Sequence, residues 1–191
     1  MRIDGIILAG GASSRMGAPK ALLPFGNQTL LDAVLSRAAP QVGVLAINVA
    51  RAEIENYQTR FSPNILPDLY EDRLGPLCGV VTGLTWCSTD WLATFPCDTP
   101  FLPRDLVAQL AKRAIDRPVV ARGAQVFGLW PKACLPQLKA GLESGTLRSV
   151  LSAVEALGGM VHSVAAPEYA FFNVNTKDDL AQALRLSASG D

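Results

Sequence analysis

The stretch GIILAGGASSRMGAPKALLPFG, residues 5–26, passes from an apolar run through a glycine turn to two basic residues. The run 3–8 carries one charge, Asp4, and no polar alternation after it, which predicts a buried strand of a parallel sheet. Gly10 and Gly11 are adjacent and let the backbone turn sharply where that strand ends. Because open α/β sheets bind ligands at the carboxyl ends of their strands, we predict a ligand site at this turn.

The loop after this strand has the chemistry of an anion site. Successive backbone N–H groups of a glycine turn can bind an anion, and Ser13 and Ser14 add hydroxyl donors. Arg15 and Lys20 add two cations, and no acidic residue lies within residues 5–31 to neutralise them. The glycine spacing matches neither the GxxxxGK[ST] phosphate loop nor the GxGxxG dinucleotide motif. We predict that the loop binds a polyphosphate; the alternative is an ordinary strand–helix turn with solvated basic residues.

Beyond this loop, short apolar runs alternate with helical patterns along the chain. This order predicts a doubly wound, mostly parallel α/β sheet of the Rossmann-like kind, with a small antiparallel patch around residues 118–130. We expect one domain over residues 1–191, because no linker or internal repeat interrupts the pattern. The predicted strands cover residues 3–8, 42–48, 65–66, 91–95, 118–121, 125–130, 160–164 and 171–174. The predicted helices cover residues 29–39, 53–61, 77–87, 103–114, 131–142 and 146–157. Thr176 opens a last helix, and Asp179 three residues later gives the spacing of a capping box.

Composition and charge exclude several classes of protein. Of 191 residues 49% are hydrophobic, and 17 basic residues balance 17 acidic ones, so we expect no broad basic surface for nucleic acid. None of the four cysteines lies in a CxxC pair and His162 is the single histidine, which argues against a zinc site. A chain of this length with a full core needs no disulfide framework, so we expect buried or half-buried free thiols. The first apolar run is too short for a signal peptide, and no run has the length of a membrane span. We expect a cytoplasmic protein without a membrane or nucleic-acid partner.

Carboxylate and amide side chains follow three of the predicted strands. Asp98 in FPCDTPF follows the strand 91–95, and Mg²⁺ binds one or two carboxylates together with phosphate oxygens. We therefore predict that Asp98 holds a magnesium ion; the alternative is a helix cap, although Asp105 can serve in that helix's first turn. Asn48 and Asp68 end two further strands, and from spacing alone they are either site residues or ordinary turn residues.

Three residues nearer the carboxyl terminus are further candidates. Arg148 lies in the first turn of the predicted helix 146–157, where a cation opposes the helix dipole, and an anionic partner would compensate for this. Asn173 and Asn175 alternate along the predicted strand 171–174 and the residue after it, which places both on one side. Their alternative role is turn and cap chemistry before the last helix.

Several motifs together resemble one enzyme family. LAGGASSRMG, with Lys20 following, resembles the signature loop of the glycosyltransferase-A-type nucleotidyltransferases. GPLCG at 75–79, PCDTP at 96–100 and FNVNTKDDLAQA at 172–183 resemble the molybdenum cofactor guanylyltransferases, the MobA family. The first loop alone indicates only the superfamily, whereas the combination is much narrower and spans residues 8 to about 184.

The resemblance implies an enzyme that transfers GMP from GTP to molybdenum-bearing molybdopterin with Mg²⁺ and releases pyrophosphate. It implies an amino-terminal part that binds the nucleotide, a carboxyl-terminal part that binds the pterin, and molybdoenzymes or their chaperones as recipients of the product. By matching motif, it implies GTP contacts at Leu8, Ala9, Gly10, Lys20, Asn48, Asp68 and Asp98, pterin contacts at Arg148, Asn173 and Asn175, magnesium on Asp98, and catalytic roles for Arg15, Lys20 and Asp98.

The reaction that the resemblance implies suits the residues present. The attacking phosphate oxygen is already anionic, so the chain needs no side-chain nucleophile or base, and positioning and charge stabilisation suffice. Three alternatives stay open: a CTP-dependent transferase of the same fold, a sugar-1-phosphate nucleotidyltransferase, and a non-catalytic carrier of the pterin cofactor. The chain is short for the sugar-phosphate enzyme, and its ending argues against that alternative.

Overall fold

The computed structural model describes residues 1–10, 19–61, 64–70 and 75–188, with the backbone alone at 59–61. These residues form a seven-stranded sheet with helices on both faces and a separate two-stranded hairpin. The strands are β1 (Ile3–Leu8), β2 (Pro24–Phe25), β3 (Gln28–Thr29), β4 (Leu45–Val49), β5 (Ile65–Pro67), β6 (Trp91–Pro96), β7 (Val119–Ala121), β8 (Ala124–Pro131) and β9 (Met160–His162). The helices are α1 (Leu30–Ala38), α2 (Ile54–Phe61), α3 (Pro76–Trp86), α4 (Leu106–Ala111), α5 (Leu135–Glu143), α6 (Val150–Ala156) and α7 (Lys177–Ala188).

The sheet has the strand order β5-β4-β1-β6-β8-β7-β9. β8 runs antiparallel to its two neighbours, and the other neighbouring pairs are parallel. The prediction of a doubly wound, mostly parallel sheet with an antiparallel patch is therefore confirmed. The second sheet is the hairpin β2–β3, whose turn holds Gly26 at a φ of 64°.

Two apolar cores cover the two faces of the sheet. Successive side chains of a strand point to opposite faces, so Ile7 packs with α1, α2 and α4 while Ile6 packs with α3, α5 and α6. Both isoleucines are fully buried, and each such burial contributes about 1.5–3 kcal/mol. A third, smaller core joins the hairpin and α1 to α7 through Phe25, Phe101 and Val174. The cores thus fix the strands whose ends carry the candidate site.

Several elements are shorter than predicted. α4 covers Leu106–Ala111 and not 103–114, and β4 begins at Leu45 and not at residue 42. The predicted helix from residue 131 begins only at Leu135, because Pro131 still pairs with β6 as the end of β8. The existence and order of these elements follow from the sequence, while tertiary pairing sets their ends.

The four cysteines are buried free thiols, as expected for a chain of this length with a full core. In the part of the chain that the structure describes, no helix is long and apolar enough to cross a membrane.

Candidate active site

The candidate site lies where the sheet order reverses. From β1 the chain continues to β4 and β5 on one side, whereas β6 pairs with the other side of β1. In open α/β sheets, ligands bind at the carboxyl ends of the strands beside this switch point. Gly10 follows β1, Asp68 follows β5 and Asp98 follows β6, so three strand ends supply polar or glycine positions to the same edge.

Lys20 gathers three side chains from distant parts of the chain. Its Nζ donates to Asp98 Oδ2 at 2.6 Å, to Asn175 Oδ1 at 2.7 Å and to Asn173 Oδ1 at 3.3 Å. The partners lie 78, 155 and 153 positions away in sequence. The Lys20 and Asp98 side chains are only 15% and 16% exposed, so solvent screens this pair less than it would a pair on the open surface. The structure therefore unites four of the predicted site residues in one cluster, which we call the Lys20 cluster.

Backbone contacts hold the Asp98 turn against its neighbours. Cys97 N donates to Leu8 O at 3.3 Å, which ties the turn to the end of β1. Val174 N donates to Asp98 O at 2.9 Å, and Thr99 Oγ1 donates to the other carboxylate oxygen, Asp98 Oδ1, at 3.2 Å. Both oxygens of the Asp98 carboxylate thus have a protein partner, and the turn is tied directly to the segment that carries the two asparagines.

The prediction of a strand over residues 171–174 is wrong. The chain forms a short 3₁₀ turn over Glu168–Phe171 and then an irregular segment up to α7. Val174 is fully buried in the third core, and its N–H bonds to the Asp98 turn and not to a sheet neighbour. Asn173 and Asn175 nevertheless lie on one side, since both amide oxygens accept from the Nζ of Lys20.

The capping box at the start of α7 is confirmed. Asp179 Oδ2 accepts hydrogen bonds from Asn175 N at 2.9 Å and from Thr176 N at 2.8 Å, and Asp179 N donates to Thr176 Oγ1 at 3.1 Å. The cap therefore fixes the backbone of Asn175 directly beside the Lys20 cluster.

Asn48 and Asp68 form a second polar cluster at the same sheet edge. Asn48 is buried, and its Nδ2 donates to Asp68 Oδ1 at 2.9 Å and to Leu66 O at 3.2 Å. α3 approaches this amide closely: a Cβ at Gly79 would lie 2.6 Å from Asn48 Oδ1, so only glycine fits there. A Cβ at Gly10 would lie 3.1 Å from Asp68 Oδ2, which places that oxygen beside the turn after β1.

The surroundings of Asp68 act on its charge in two directions. Burial raises the pKa of the Asp68 carboxyl above its ordinary value, while hydrogen bonds from Asn48 and Cys78 and the charge of Arg51 oppose that rise. Arg51 also donates from Nη2 to the Asp68 backbone oxygen at 3.2 Å. Cys78 and Arg51 were missed as neighbours of Asp68 by sequence reasoning, although Cys78 stands inside the GPLCG motif.

The two remaining predicted site residues are Arg15 and Arg148. Arg15 belongs to residues 11–18, outside the described part of the chain, together with Ser13 and Ser14. The placement of Arg148 in the first turn of a helix is wrong, because α6 begins at Val150 with Ser149 as its N-cap. Arg148 is exposed, and its Nε donates to Gly145 O at 3.0 Å. The dipole argument for an anionic partner of Arg148 therefore falls.

Comparison with known proteins gives consistent relatives over nearly the whole chain. Residues 5–158 match the family model described as a MobA-like NTP transferase domain. A curated protein of Mesorhizobium japonicum, named molybdenum cofactor guanylyltransferase, is 41% identical over 98% of this chain and 97% of its own length. A Vibrio cholerae protein of the same name is 39% identical over 93% of this chain and 89% of its own.

A solved structure agrees with the fold. Molybdopterin-guanine dinucleotide biosynthesis protein A of Archaeoglobus fulgidus superposes with a TM-score of 0.82 at 19% identity, covering 98% of this chain and 100% of that chain. At this identity the likeness shows a common architecture, and the sequence relatives carry the family relationship.

Proposed function

This chain belongs to the MobA-like NTP transferase family and is a nucleotidyltransferase, and we propose that it transfers GMP from GTP to molybdenum-molybdopterin. The products are molybdopterin guanine dinucleotide and pyrophosphate. The substrates follow from the name that its relatives at 37–41% identity bear. The structural observation that supports the proposal is the Lys20 cluster, in which residues of the nucleotide loop, the Asp98 turn and the carboxyl-terminal segment meet.

The proposed nucleotide side lies at the ends of β1, β4 and β5. The backbone of Leu8, Ala9 and Gly10 lies along the nucleotide, and Asp68 offers a carboxylate oxygen beside Gly10. Guanine presents N1–H and an amino group as adjacent donors, which carboxylate or backbone oxygens can accept and which cytosine lacks. Asn48 contributes to the same pocket through its contact with Asp68.

Lys20 contacts the phosphates in this proposal. An ammonium group has three protons, and in the structure Lys20 donates to three protein oxygens. A phosphate oxygen therefore competes with these protein oxygens for the Lys20 ammonium when the nucleotide binds. Arg15, outside the described residues, is proposed to stabilise the departing pyrophosphate with Lys20.

The family generally uses a divalent metal ion, and we propose Mg²⁺ held by Asp98. Within the described residues, no three His, Cys, Asp or Glu side chains form a metal-binding group. Mg²⁺ is often bound by one or two carboxylates while substrate phosphates and waters complete its shell, so a single Asp98 fits such a site. When bound, the ion would neutralise charge on the phosphate oxygens.

The chain's own contribution to the reaction is positioning and charge. A phosphate oxygen of the acceptor forms a bond to the α-phosphorus, and the bond from that phosphorus to the bridging β-phosphate oxygen breaks with its electron pair. The attacking oxygen carries no proton at neutral pH, so no side chain has to act as a base. Asn173 and Asn175, whose amides have donors and acceptors that match a pterin edge, orient the acceptor in this proposal.

We propose a single domain whose amino-terminal part binds the nucleotide and whose carboxyl-terminal part binds the pterin. We include molybdoenzymes or their chaperones as the recipients of the product. Arg148 remains a proposed pterin contact only through the family resemblance, since its surroundings add no support.

The decisive experiment is to incubate the protein with molybdenum-molybdopterin, Mg²⁺ and each of the four nucleoside triphosphates. We expect a dinucleotide product and pyrophosphate with GTP alone. Product with CTP alone would overturn the guanylyl assignment in favour of a cytidylyltransferase. Tight pterin binding without product from any nucleotide would favour a cofactor carrier.

A further inference from the structure

The Asp68 carboxylate is held by one of its two oxygens. Oδ1 accepts from Asn48 Nδ2 at 2.9 Å and from Cys78 Sγ at 3.9 Å, a distance at which a thiol still forms a weak hydrogen bond. Among the described residues, none donates a hydrogen bond to Oδ2, which lies beside Gly10. The carboxylate is thus anchored on the protein side and presents an acceptor toward the turn after β1.

Asn48 donates both protons of its side-chain amide to protein oxygens. Its side chain is buried, and its NH₂ group has two donors, which go to Leu66 O and Asp68 Oδ1. The amide oxygen faces Gly79 of α3, so the helix backbone restricts the side chain from the other side. Turning the amide toward a ligand would break two part-buried hydrogen bonds and leave the buried amide without these partners, which is costly.

Cys78 supplies the second contact from a different element. It lies in the first turn of α3 and is buried. Burial and the neighbouring Asp68 charge both raise the pKa of the Cys78 thiol, so it keeps its proton at neutral pH and acts as a donor. β4, through Asn48, and α3, through Cys78, therefore contact the same carboxylate oxygen of Asp68, the residue that follows β5.

We propose that Asn48 and Cys78 are positioning residues for Asp68, and that Asn48 acts on the bound nucleotide only through that carboxylate. The inference rests on the proposed nucleotide site and refines it, because the family resemblance places Asn48 itself against the nucleotide. The pair holds Oδ1 so that Oδ2 stays beside Gly10, where it accepts from the nucleotide. Without the pair, the carboxylate would rotate among several positions and bind the nucleotide less well.

A double-mutant cycle on nucleotide binding tests this inference. Asn48→Ala, Asp68→Ala and the double variant are compared by isothermal titration with GTP. We expect Asn48→Ala to weaken binding about tenfold, the size of one hydrogen bond to a charged group, and Asp68→Ala to weaken it at least as much. The double variant should bind no more weakly than Asp68→Ala, because residues that act through one group are not additive. A further tenfold loss in the double variant would overturn the proposal.

Variants of Cys78 test the proposal independently, because they do not require Asn48 variants to fold. Cys78→Ala should weaken GTP binding about threefold in the wild-type background and not at all beside Asp68→Ala, while Cys78→Ser, which keeps a donor, should restore part of the loss. Cys134→Ala, a buried thiol in the turn before α5, is the matched control and should leave binding unchanged. A loss with Cys78→Ala that persists beside Asp68→Ala would contradict the positioning role.

The two proposals fail in distinguishable ways. The cycle measures binding and not turnover, so non-additivity can hold even if the transferred group is not GMP. If the wild-type protein binds CTP and not GTP, the proposed function falls, and the same cycle with CTP still decides whether Asn48 acts through Asp68.

Discussion

At the residue scale, the candidate site is organised by the hydrogen bonds that Lys20 and Asp98 form with each other and with neighbouring side chains. The ammonium of Lys20 bonds to a carboxylate and to two amide oxygens, while the carboxylate also accepts from Thr99. The pair is largely shielded from solvent, which strengthens its attraction relative to an exposed ion pair. Each residue is therefore expected to matter for ligand binding as well as for local order.

Replacing Lys20 should mainly impair nucleotide binding. We expect Lys20→Met to raise the KM for GTP about tenfold to a hundredfold, because a charge-assisted hydrogen bond to phosphate is lost. Steady-state kinetics measure the effect, and Lys139→Met, an exposed lysine of α5, is the matched control. Unchanged KM and kcat in Lys20→Met would instead favour the alternative interpretation, in which the loop is an ordinary strand–helix turn with solvated basic residues.

Replacing Asp98 should remove transfer and preserve the fold. Asp98→Asn keeps the shape of the side chain but loses its charge, so we expect kcat to fall about a hundredfold or more. Thermal unfolding by circular dichroism should report an intact protein. Asp116→Asn, an exposed carboxylate beside Arg117, serves as control. Near-normal turnover of Asp98→Asn would show that this carboxylate is not the metal anchor.

At the element scale, the start of α7 places the carboxyl-terminal asparagines. The Asp179 carboxylate accepts from the backbone of Asn175 and Thr176, so the helix cap and the Lys20 cluster share the residue Asn175. β6 contributes the Asp98 turn, and the bond from Val174 N to Asp98 O links the two elements. The part of the site that we propose for the pterin substrate is thus built from the end of β6 and the start of α7.

Removing the α7 cap should lower the stability of the protein and also weaken binding of the pterin substrate, because the cap positions Asn175. Asp179→Ala loses the capping box, which costs about 1 kcal/mol, and we expect a higher KM for the pterin substrate with little change for GTP. Urea unfolding and kinetics measure the two effects. Asp178→Ala, an exposed neighbour outside the capping box, is the control. Equal effects of the two variants would argue against the cap as the cause.

The same cap predicts a pH dependence. The hydrogen bonds from the Asn175 backbone and from Thr176 lower the pKa of Asp179 below its ordinary 3.8. A carboxylate whose pKa is lowered on folding stabilises the protein fully above its unfolded-state pKa and loses that contribution as the pH falls through the folded-state pKa. The stability difference between wild type and Asp179→Ala should therefore be constant at neutral pH and shrink below pH 3.8. A difference that persists in acid would contradict this account.

At the scale of the whole molecule, two cores hold the strand ends in place before any ligand arrives. Each face of the sheet is closed by three helices, and the site residues follow strands buried between these layers. In the described part of the chain, no cluster of metal-binding side chains takes part in this framework. The proposed metal ligand, Asp98, follows β6 and is not a member of these cores, so we expect a metal bound there to serve the reaction and not the fold.

Metal removal should separate activity from stability. We expect EDTA to abolish transfer and to leave the Tm of the ligand-free protein unchanged, with activity restored by excess Mg²⁺. GTP with Mg²⁺ at about a hundred times its Kd should raise the Tm by roughly 5–10 °C, since ligand binding at that excess adds about 2.7 kcal/mol. Differential scanning fluorimetry measures both. A lower Tm in EDTA alone would assign the metal a structural role.

Much of the fold and part of the site follow from sequence patterns. The strand that ends before Gly10, the strand before Asp98 and the capping box at Thr176 are local patterns, and the structure contains all three. The predicted strand at 171–174 failed because Phe172 and Val174 pack in the small core under α7, while Phe171 packs against the first core on a face of the sheet and not within the sheet. Apolar residues that recur every 3.6 or every two positions indicate a helix or a strand, but this period does not reveal which layer of the fold the element joins.

By itself, then, the sequence determined the α/β class and the sheet edge that carries the site. The spacing of apolar residues and the positions of glycine and proline set helices, strands and turns within a few residues, so these features can be predicted locally. Only the tertiary structure decided that Lys20 meets Asn173 and Asn175, and that Cys78 meets Asp68. Those partners lie on different elements, and the order of strands in the sheet decides which elements come together. Long-range pairing of this kind depends on how the whole chain buries its two faces, which no short stretch of sequence specifies.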